Sequence, residues 1–551
     1  MNRLSFTLAV LAIGSFVSGL RAAPPFFPDN LPADHPPFCR VNAAATQERI
    51  TAFKASPYFS APISATTHTI IVVRVDFSDQ VMTQTQAQAN TFMSSVKNFY
   101  LENSYGLLSP SATVTNNGSG VALAFRMPRA LDYYANGLSS RYAELARDAV
   151  AVATTASINF TPYNHIMILH AGNGSETGSG SQISSNIWSA YAPSSFLGGP
   201  TIGAKVFPGA TFVPESEFLS VDPLGVIVHE YGHQLGLPDL YNAETGATKV
   251  GAWSLMDSGV YLPNPASGGF AIGANPAHFD AWSKQFLGFS STETISFTLG
   301  TTKTLTQAQT SRTSFIRLPI SVGGSNEYFL LEYRRSGTSN GVNYDKFLPG
   351  QAGGLLIWHV DDSIALNTTR LDNNNVNNGS PNLGVDLVEA GTTDTASTGG
   401  SSADPWPGAS VTFQTTKARA FNGKESGIVV SDISNPGSAS ISVTLKSIIS
   451  GVSSSDSVAV GGGPSGYTNP SKGELVRITL KPTSAGVINL KIYSLSGDLV
   501  HESSLAATAG AQPTETWNGN NKDGKGVSSG IYVLHVEGGG LNAKKKIAII
   551  K

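Results

Sequence analysis

The chain has 551 residues, ten histidines, one cysteine and a formal net charge of −3. That length exceeds what one hydrophobic core organises, so several domains are expected, and the near-neutral charge argues against nucleic acid as a partner. Charged residues make up 13% of the chain, against ~25% in ordinary soluble proteins; Gly, Ser, Thr and Asn fill the gap, which points to a β-rich, loop-rich chain.

Residues 1–22 read as a signal peptide. Arg3 gives the positive start, LSFTLAVLAIGSFVSGL the apolar stretch, and Arg21-Ala22-Ala23 the small residues at a cleavage point. No later stretch is long and apolar enough to span a membrane. The expectation is a secreted or extracellular protein, released or held at the cell surface. Residues 23–65 are rich in Pro and Ala and read as a pro-segment or N-terminal wrap. They carry Cys39, which as the sole cysteine excludes an internal disulfide. A thiolate displaces water from a metal ion, so Cys39 is a candidate latency thiol if a metal site lies downstream. The plainer reading is a free or buried thiol without a role.

From Thr69, IIVVRVDF reads as a buried strand. Residues 85–100 read as a helix, NSYG leads into another strand, and 143–153 form a second helix. HIMILHAG is a central strand. Residues 174–185, mostly Gly, Ser and Thr, read as a mobile loop, followed by NIWSAY, a strand beside a cleft.

The next segment carries the chemistry. Residues 229–239 read HEYGHQLGLPD, an HExxHxxGxxD pattern. Residues four apart share a helix face, so His229 and His233 can aim two imidazoles at one zinc ion. Glu230 between them can act as base on a water in the ion's open position. Asp222 and Pro223 suit the helix start, and Gly236 suits a left-handed helix end. Asp239 is then the natural third ligand, with Glu244 the runner-up. Against this stands the plain reading that Asp239 only begins a Pro-Asp turn.

The spacing resembles that of the metzincin proteases, whose third ligand is usually His; Asp239 departs from that pattern. The resemblance also implies a methionine turn beneath the metal. In GAWSLMDSG (residues 251–259) Met256 fits that place, as an apolar, polarizable floor. Where some metzincins carry a metal-binding tyrosine, two residues after the methionine, this chain has Ser258, so no tyrosine ligand is expected.

Residues 276–288 read as a closing helix, AHFDAWSKQFLG, completing an α+β catalytic lobe over 66–290. Short alternating strands follow over 291–449: KTLTQA, SFIRLPI, EYFLLEYR, GGLLIWHVDD, VDLVEA, IVVSDI and ASISVTLK. An Asn-rich run at 371–379 reads as a solvated loop. Calcium is the lesser alternative there, and Asp361, Asp362 and Asp386 are further calcium candidates. Residues 450–466 read as a Ser/Gly/Val linker, and 467–551 as a further all-β module with hairpin turns at Ser-Gly-Asp and Lys-Asp-Gly.

Residues from about 68 to 447 resemble the immune inhibitor A family of secreted metalloproteases. The resemblance rests on VVRVDFSD, FYLENSYG, VHEYGHQLGLPDLY, GAWSLMDSG, EYFLLEYR, GGLLIWHVDDSI, VDLVEA and DPWPG, in that order. It implies His229 and His233 as zinc ligands, Glu230 as catalytic base, and protein or peptide substrates. The last module resembles the Ig-like β-sandwich of the flagellar hook-cap protein, on KIYSLSGDLV, Trp517-Asn518-Gly519 and SSGIYVLHVE; a cell-surface or export contact is expected of it. The sequence thus predicts a metzincin-like α+β lobe, all-β domains and a C-terminal Ig-like β-sandwich. The function expected is that of a secreted zinc endopeptidase. The alternative is a secreted binding or adhesion protein on an inactive protease scaffold, which would be expected to lose Glu230.

Overall fold

The computed structural model describes residues 45–47, 50–51 and 68–551, apart from 117–123, 137, 180, 196, 198–200, 203–204, 265–271, 296–300, 321–325, 351, 380–381, 409–411, 415, 448–456, 462–466, 473 and 512. The chain is mixed α/β, with many small sheets and few helices. Cys39 and the expected signal peptide lie outside the described residues.

The lobe is built on one twisted sheet. Its elements are β1 (Thr69–Asp76), α1 (Gln86–Asn103), β2 (Ser111–Val114), β3 (Phe125–Arg126), α2 (Leu131–Ala135), α3 (Leu138–Thr155), β4 (His165–Asn173), α4 (Ser181–Ser184), β5 (Ala190–Pro193), a hairpin of β6 (Thr201–Ile202) and β7 (Lys205–Val206), β8 (Gly209–Ser216) and α5 (Leu224–Gln234). The sheet order is β2-β1-β4-β8-β5, with β3 on the end of β1. β1, β4 and β8 are parallel and buried almost throughout, which is why β1 and β4 read as continuous apolar runs rather than alternating ones. β5 is antiparallel and forms the edge. Thr85 caps α1 through a capping box with Gln88. The hydroxyl of Tyr100 on that helix donates to the Val228 carbonyl of α5.

Two expectations change here. The closing helix α6 is shorter, Ala281–Phe286, because Asp280 starts it by accepting the Ser283 N–H. The stretch expected to be a mobile loop is largely buried. Ser175, Glu176 and Thr177 are covered, and α4 forms within it. Two acids anchor this stretch. Glu176 accepts the Ser189 N–H (3.1 Å) and Glu217 the Thr177 hydroxyl (2.5 Å). A Cβ on Gly174 would lie 2.5 Å from the Glu217 carboxyl and 2.8 Å from that of Glu176, so only glycine lets the backbone pass the pair.

The strands expected after residue 290 are present: β9 (Thr292–Thr294), β10 (Thr301–Thr306), β11 (Phe315–Pro319), β12 (Glu327–Arg334), β13 (Gly354–Asp361), the short helices α7 (Asp362–Ala365) and α8 (Thr368–Asp372), β14 (Val385–Leu387), β15 (Ile428–Ser431) and β16 (Ser440–Ser447). They form a five-stranded sheet, β14-β13-β12-β11-β9, and a three-stranded one, β10-β16-β15. The five-stranded sheet is buried on both faces. Tyr328, Leu330, Leu356 and Trp358 share the core of the lobe with Ile227 and Trp282. Their neighbours Phe329, Leu331, Leu355 and Ile357 pack with Val430, Val443 and Leu445 of the small sheet. Strand alternation therefore joins two cores through one sheet. A buried ionic pin crosses the same boundary. Arg334 on β12 pairs with Asp345 and donates to the Trp253 carbonyl (3.1 Å), while Asp345 accepts the His278 N–H (2.9 Å).

The last module holds β17 (Val458–Gly461), β18 (Val476–Leu480), β19 (Gly486–Ser494), β20 (Leu499–Ala507), β21 (Thr514–Trp517), β22 (Gly530–Gly538) and β23 (Leu541–Ile549). They make two antiparallel sheets, β17-β18-β21 and β20-β19-β22-β23, around a core of their own that includes Val476, Leu490, Trp517 and Leu534. β17 lies inside the stretch expected to be linker, so Val458–Gly461 belong to the module.

Candidate metal centre

Helix α5 is wholly buried, apolar in its first half (LGVIV) and carrying HEYGHQ in its second. At its start the Asp222 carboxylate accepts the Leu224 N–H (2.9 Å), filling one of the donors left open by the first turn. At its end Gly236 takes φ 102°, the left-handed turn that sends the chain back toward the helix. The space over Gly236 is taken by the N-terminal segment. A Cβ there would sit 2.9 Å from the Thr46 nitrogen, and the Thr46 hydroxyl donates to the Gly236 carbonyl (3.1 Å).

Three donor atoms converge. His229 and His233 Nε2 lie 3.1 Å apart, and Asp239 Oδ1 lies 3.1 Å from the first and 3.3 Å from the second. Donors held at zinc's usual ~2.0–2.1 Å in a tetrahedron would be roughly 3.3–3.4 Å apart. The triangle therefore fits an ion of that size on its open face. The second ring nitrogens are committed elsewhere. His229 Nδ1 donates to the Leu255 carbonyl (2.9 Å) and His233 Nδ1 to the Leu237 carbonyl (2.8 Å). Only a protonated nitrogen can donate to a carbonyl, so these bonds leave both Nε2 lone pairs free.

The carboxylate is just as asymmetric. Asp239 Oδ2 accepts from the Tyr241 hydroxyl (2.6 Å) and from the Asn374 side-chain amide, while Oδ1 is buried and receives no hydrogen bond. An orphaned carboxylate oxygen in a buried site calls for a partner, and this one faces the two imidazole Nε2 atoms. Burial opposes ionisation of Asp239, but the neighbouring imidazoles hold its carboxyl well below the usual carboxylate range. Among the described residues these three form one group of the kind that can hold a metal ion. Glu244 is exposed and outside it.

Glu230 is buried beside His229. The phenols of Tyr100 and Tyr261 feel its charge. Burial raises both well above the ordinary tyrosine value, and Glu230 adds to the rise. Met256 packs under the helix; a Cβ on Gly232 would lie 3.1 Å from its sulfur. The turn around Met256 also holds both segments, through the Leu255 carbonyl on His229 and the Met256 carbonyl on the Leu240 N–H (2.8 Å). Asp257 ties the turn down by accepting from Thr248, Lys249, Val250, Gly251 and Ser258.

The calcium expectation finds no support. Asp361 spends its carboxylate on Ser363 as a helix cap. Asp362 faces Arg317 (3.2 Å) and Tyr328 (3.1 Å). Burial, with the charge of Asp394 added, pushes Asp386 up to about 7. The Asn-rich run is not a solvated loop either, because Asn374 and Asn377 are buried against the metal loop. Asn374, Tyr241 and Asp257 escaped the sequence reading. Tyr241 was visible two residues past Asp239; nothing local marked the other two.

Residues 161–292 match the family model of the immune inhibitor A peptidase M6 catalytic domain, and residues 465–551 that of a secretion system C-terminal sorting domain. The second match corrects the hook-cap expectation for the last module. A pre-pro-metalloprotease PrtV of Vibrio cholerae is 37% identical over 134 residues, 22% of this chain and 14% of that protein. Immune inhibitor A of Bacillus thuringiensis is 33% identical over 130 residues, 22% of this chain and 18% of that protein. The chain thus spans less than a fifth of the length of these relatives. Among solved structures, OgpA of Akkermansia muciniphila aligns over 88% of this chain and 93% of its own at 11% identity, with a TM-score of 0.25, too weak a likeness to bear on the fold. The sorting-domain match marks an extracellular or cell-surface protein. No helix among the described residues is long and apolar enough to cross a membrane.

Proposed function

We propose that the chain is a secreted zinc-dependent endopeptidase. In this reading His229, His233 and Asp239 hold the ion, Glu230 is the catalytic base and Met256 lies beneath the site. The observation that carries it is the triangle of two bare Nε2 atoms and one orphaned Oδ1, with every other polar atom of the three ligands already engaged. The peptidase M6 match over the same residues and the two metalloprotease relatives support it.

When bound, zinc supplies a Lewis acid that makes a water acidic near neutral pH and stabilises negative charge on a polarised carbonyl. Glu230 takes the proton from the attacking water and returns it to the leaving amine. The binding-protein alternative is disfavoured by Glu230, whose retention a scaffold without catalysis would not require. The organisation proposed is a proteolytic unit through residue 447, followed by a module that export machinery recognises; the sorting-domain match supports that role.

The test is hydrolysis of unfolded casein by wild type and Glu230→Gln, with and without a chelator. Activity in wild type alone, abolished by chelation and restored by zinc, is expected. Chelator-resistant cleavage, or cleavage by the variant at the wild-type rate, overturns the reading.

A further inference from the structure

The third donor of this site poses a problem that the two histidines do not. His229 and His233 ride on a buried helix that fixes their spacing. Asp239 comes from the loop beyond Gly236, and a loop holds a side chain within a few tenths of an ångström only if something outside it does the holding. A carboxylate can also turn, presenting either oxygen or both. In this structure the choice is already made, with Oδ1 facing the imidazoles and Oδ2 facing away.

The restraint comes from 135 residues downstream. Asn374 follows helix α8 with left-handed backbone (φ 53°) and is buried. Its Oδ1 accepts the Asp239 N–H (2.7 Å), and its Nδ2 donates to Asp239 Oδ2. One side chain thus grips the backbone and the carboxylate of the same residue. The amide has a single sensible orientation, because the N–H needs an acceptor and the carboxylate needs a donor. With the Tyr241 hydroxyl, Asn374 fills Oδ2 and leaves only Oδ1 for a cation. The neighbouring asparagines extend the grip along the same strand of chain. Asn377 donates to the Leu240 carbonyl (2.8 Å), and Asn378 accepts the Ala243 N–H (2.7 Å). Asn377 is itself fixed from behind by Gly384, accepting its N–H (3.0 Å), and by the carbonyl of Val385 (2.8 Å).

We infer that Asn374 is a positioning residue for the metal centre: it pre-sets the Asp239 carboxylate to offer one oxygen, and the Asn-rich segment of the β-rich region is a working part of the metal site. This rests on the zinc reading above. A loop that merely packed against the lobe would meet the backbone of residues 239–243. It would have no reason to place an amide donor on the ligand's own carboxylate.

The experiment measures zinc affinity by competition with a chromophoric chelator. It compares the full chain with Asp239→Ala, Asn374→Ala and Asn374→Asp, alongside thermal melts of the metal-free proteins and absorption spectra with cobalt(II). Asn374→Ala should weaken zinc binding ~10–100-fold, the range for losing a partner that orients a ligand, with a changed cobalt spectrum. Asn374→Asp keeps the shape and the acceptor for the Asp239 N–H but sets an oxygen against Oδ2. It should weaken binding at least as much, and it serves as the informative variant if alanine fails to fold. Affinities within threefold of wild type in the folded variants, with an unchanged cobalt spectrum, overturn the inference while leaving the zinc reading intact. If wild type binds no zinc, or Asp239→Ala binds it as tightly as wild type, the zinc reading falls and the inference with it.

Discussion

At the scale of single residues, the proposed metal centre separates holding from reacting. His229, His233 and Asp239 turn one atom each toward a common point and commit the rest to the protein. Glu230 contributes no atom to that group. Glu230→Gln should therefore retain zinc and melting temperature while losing ~10²–10⁴-fold in rate, the usual contribution of a general base. Casein hydrolysis beside metal analysis checks this, and a loss under tenfold would remove Glu230 from the chemistry. Asp239→Ala should cripple zinc binding, since two imidazoles alone would remain, whereas Glu244→Ala should leave the affinity unchanged because Glu244 is exposed and away from the group. Zinc titration of the two variants decides between them. Much of this centre was legible because helical spacing turns a four-residue interval into a shared face. The support of Asp239 was not. Asn374 is remote in sequence, and an asparagine-rich run carries the composition of a solvated loop whether or not it is buried.

At the scale of elements, strands were legible where an apolar run stood out from its polar surroundings, as in β1, β4, β12 and β13, which are buried almost throughout. Stretches held by polar contacts were not. The Gly/Ser/Thr run after β4 has no apolar period, yet Glu176 and Glu217 organise it from inside. Burial raises both carboxyls above the ordinary glutamate value, and the charge of Glu176 lifts Glu217 further. The sign of the resulting pH dependence follows. The folded state keeps a proton that the unfolded chain gives up at ~4.3, so stability falls as pH rises from there toward the raised folded value. Glu217→Gln replaces a titrating carboxyl with a neutral amide. Its melting temperature should decline less than wild type's between pH 4.5 and 8, and at pH 8 it should be no lower. A variant several degrees less stable at pH 8 would show that the ionised pair is supported by something else. The Arg334–Asp345 pin makes a different prediction. Asp345→Ala leaves a buried guanidinium without its main partner, which typically costs about 3–5 kcal/mol. Denaturant melts should show that loss as a lower midpoint, and a change below ~1 kcal/mol would mean that Glu332, at 3.4 Å, suffices for Arg334.

At the scale of the whole molecule, the boundary expected near residue 290 is crossed by a continuous core. Trp358 and Tyr328 lie in the same cluster as Trp282 and Ile227, Arg334 reaches back to Trp253, and Asn374 reaches back to Asp239. Composition could not reveal this, because β12 and β13 are apolar on both faces and the sequence does not say which neighbour covers each. The module beyond 457 is otherwise built: its strands alternate, and among the described residues its core draws on its own alone. Two truncations should therefore behave oppositely. A chain ending at residue 290 would expose the lobe side of Trp282 and lose the grip on Asp239, so it should fail to fold or bind zinc. A chain ending at Ser447 should melt within ~2 °C of the full protein's proteolytic unit, bind zinc normally and cleave a short peptide with unchanged kcat. Produced in the native host, the same shortened chain should be retained by the cells, because the sorting module is gone. Normal release of active protein without residues 448–551 would show that the module has another task. A large fall in kcat would place part of the module in the site.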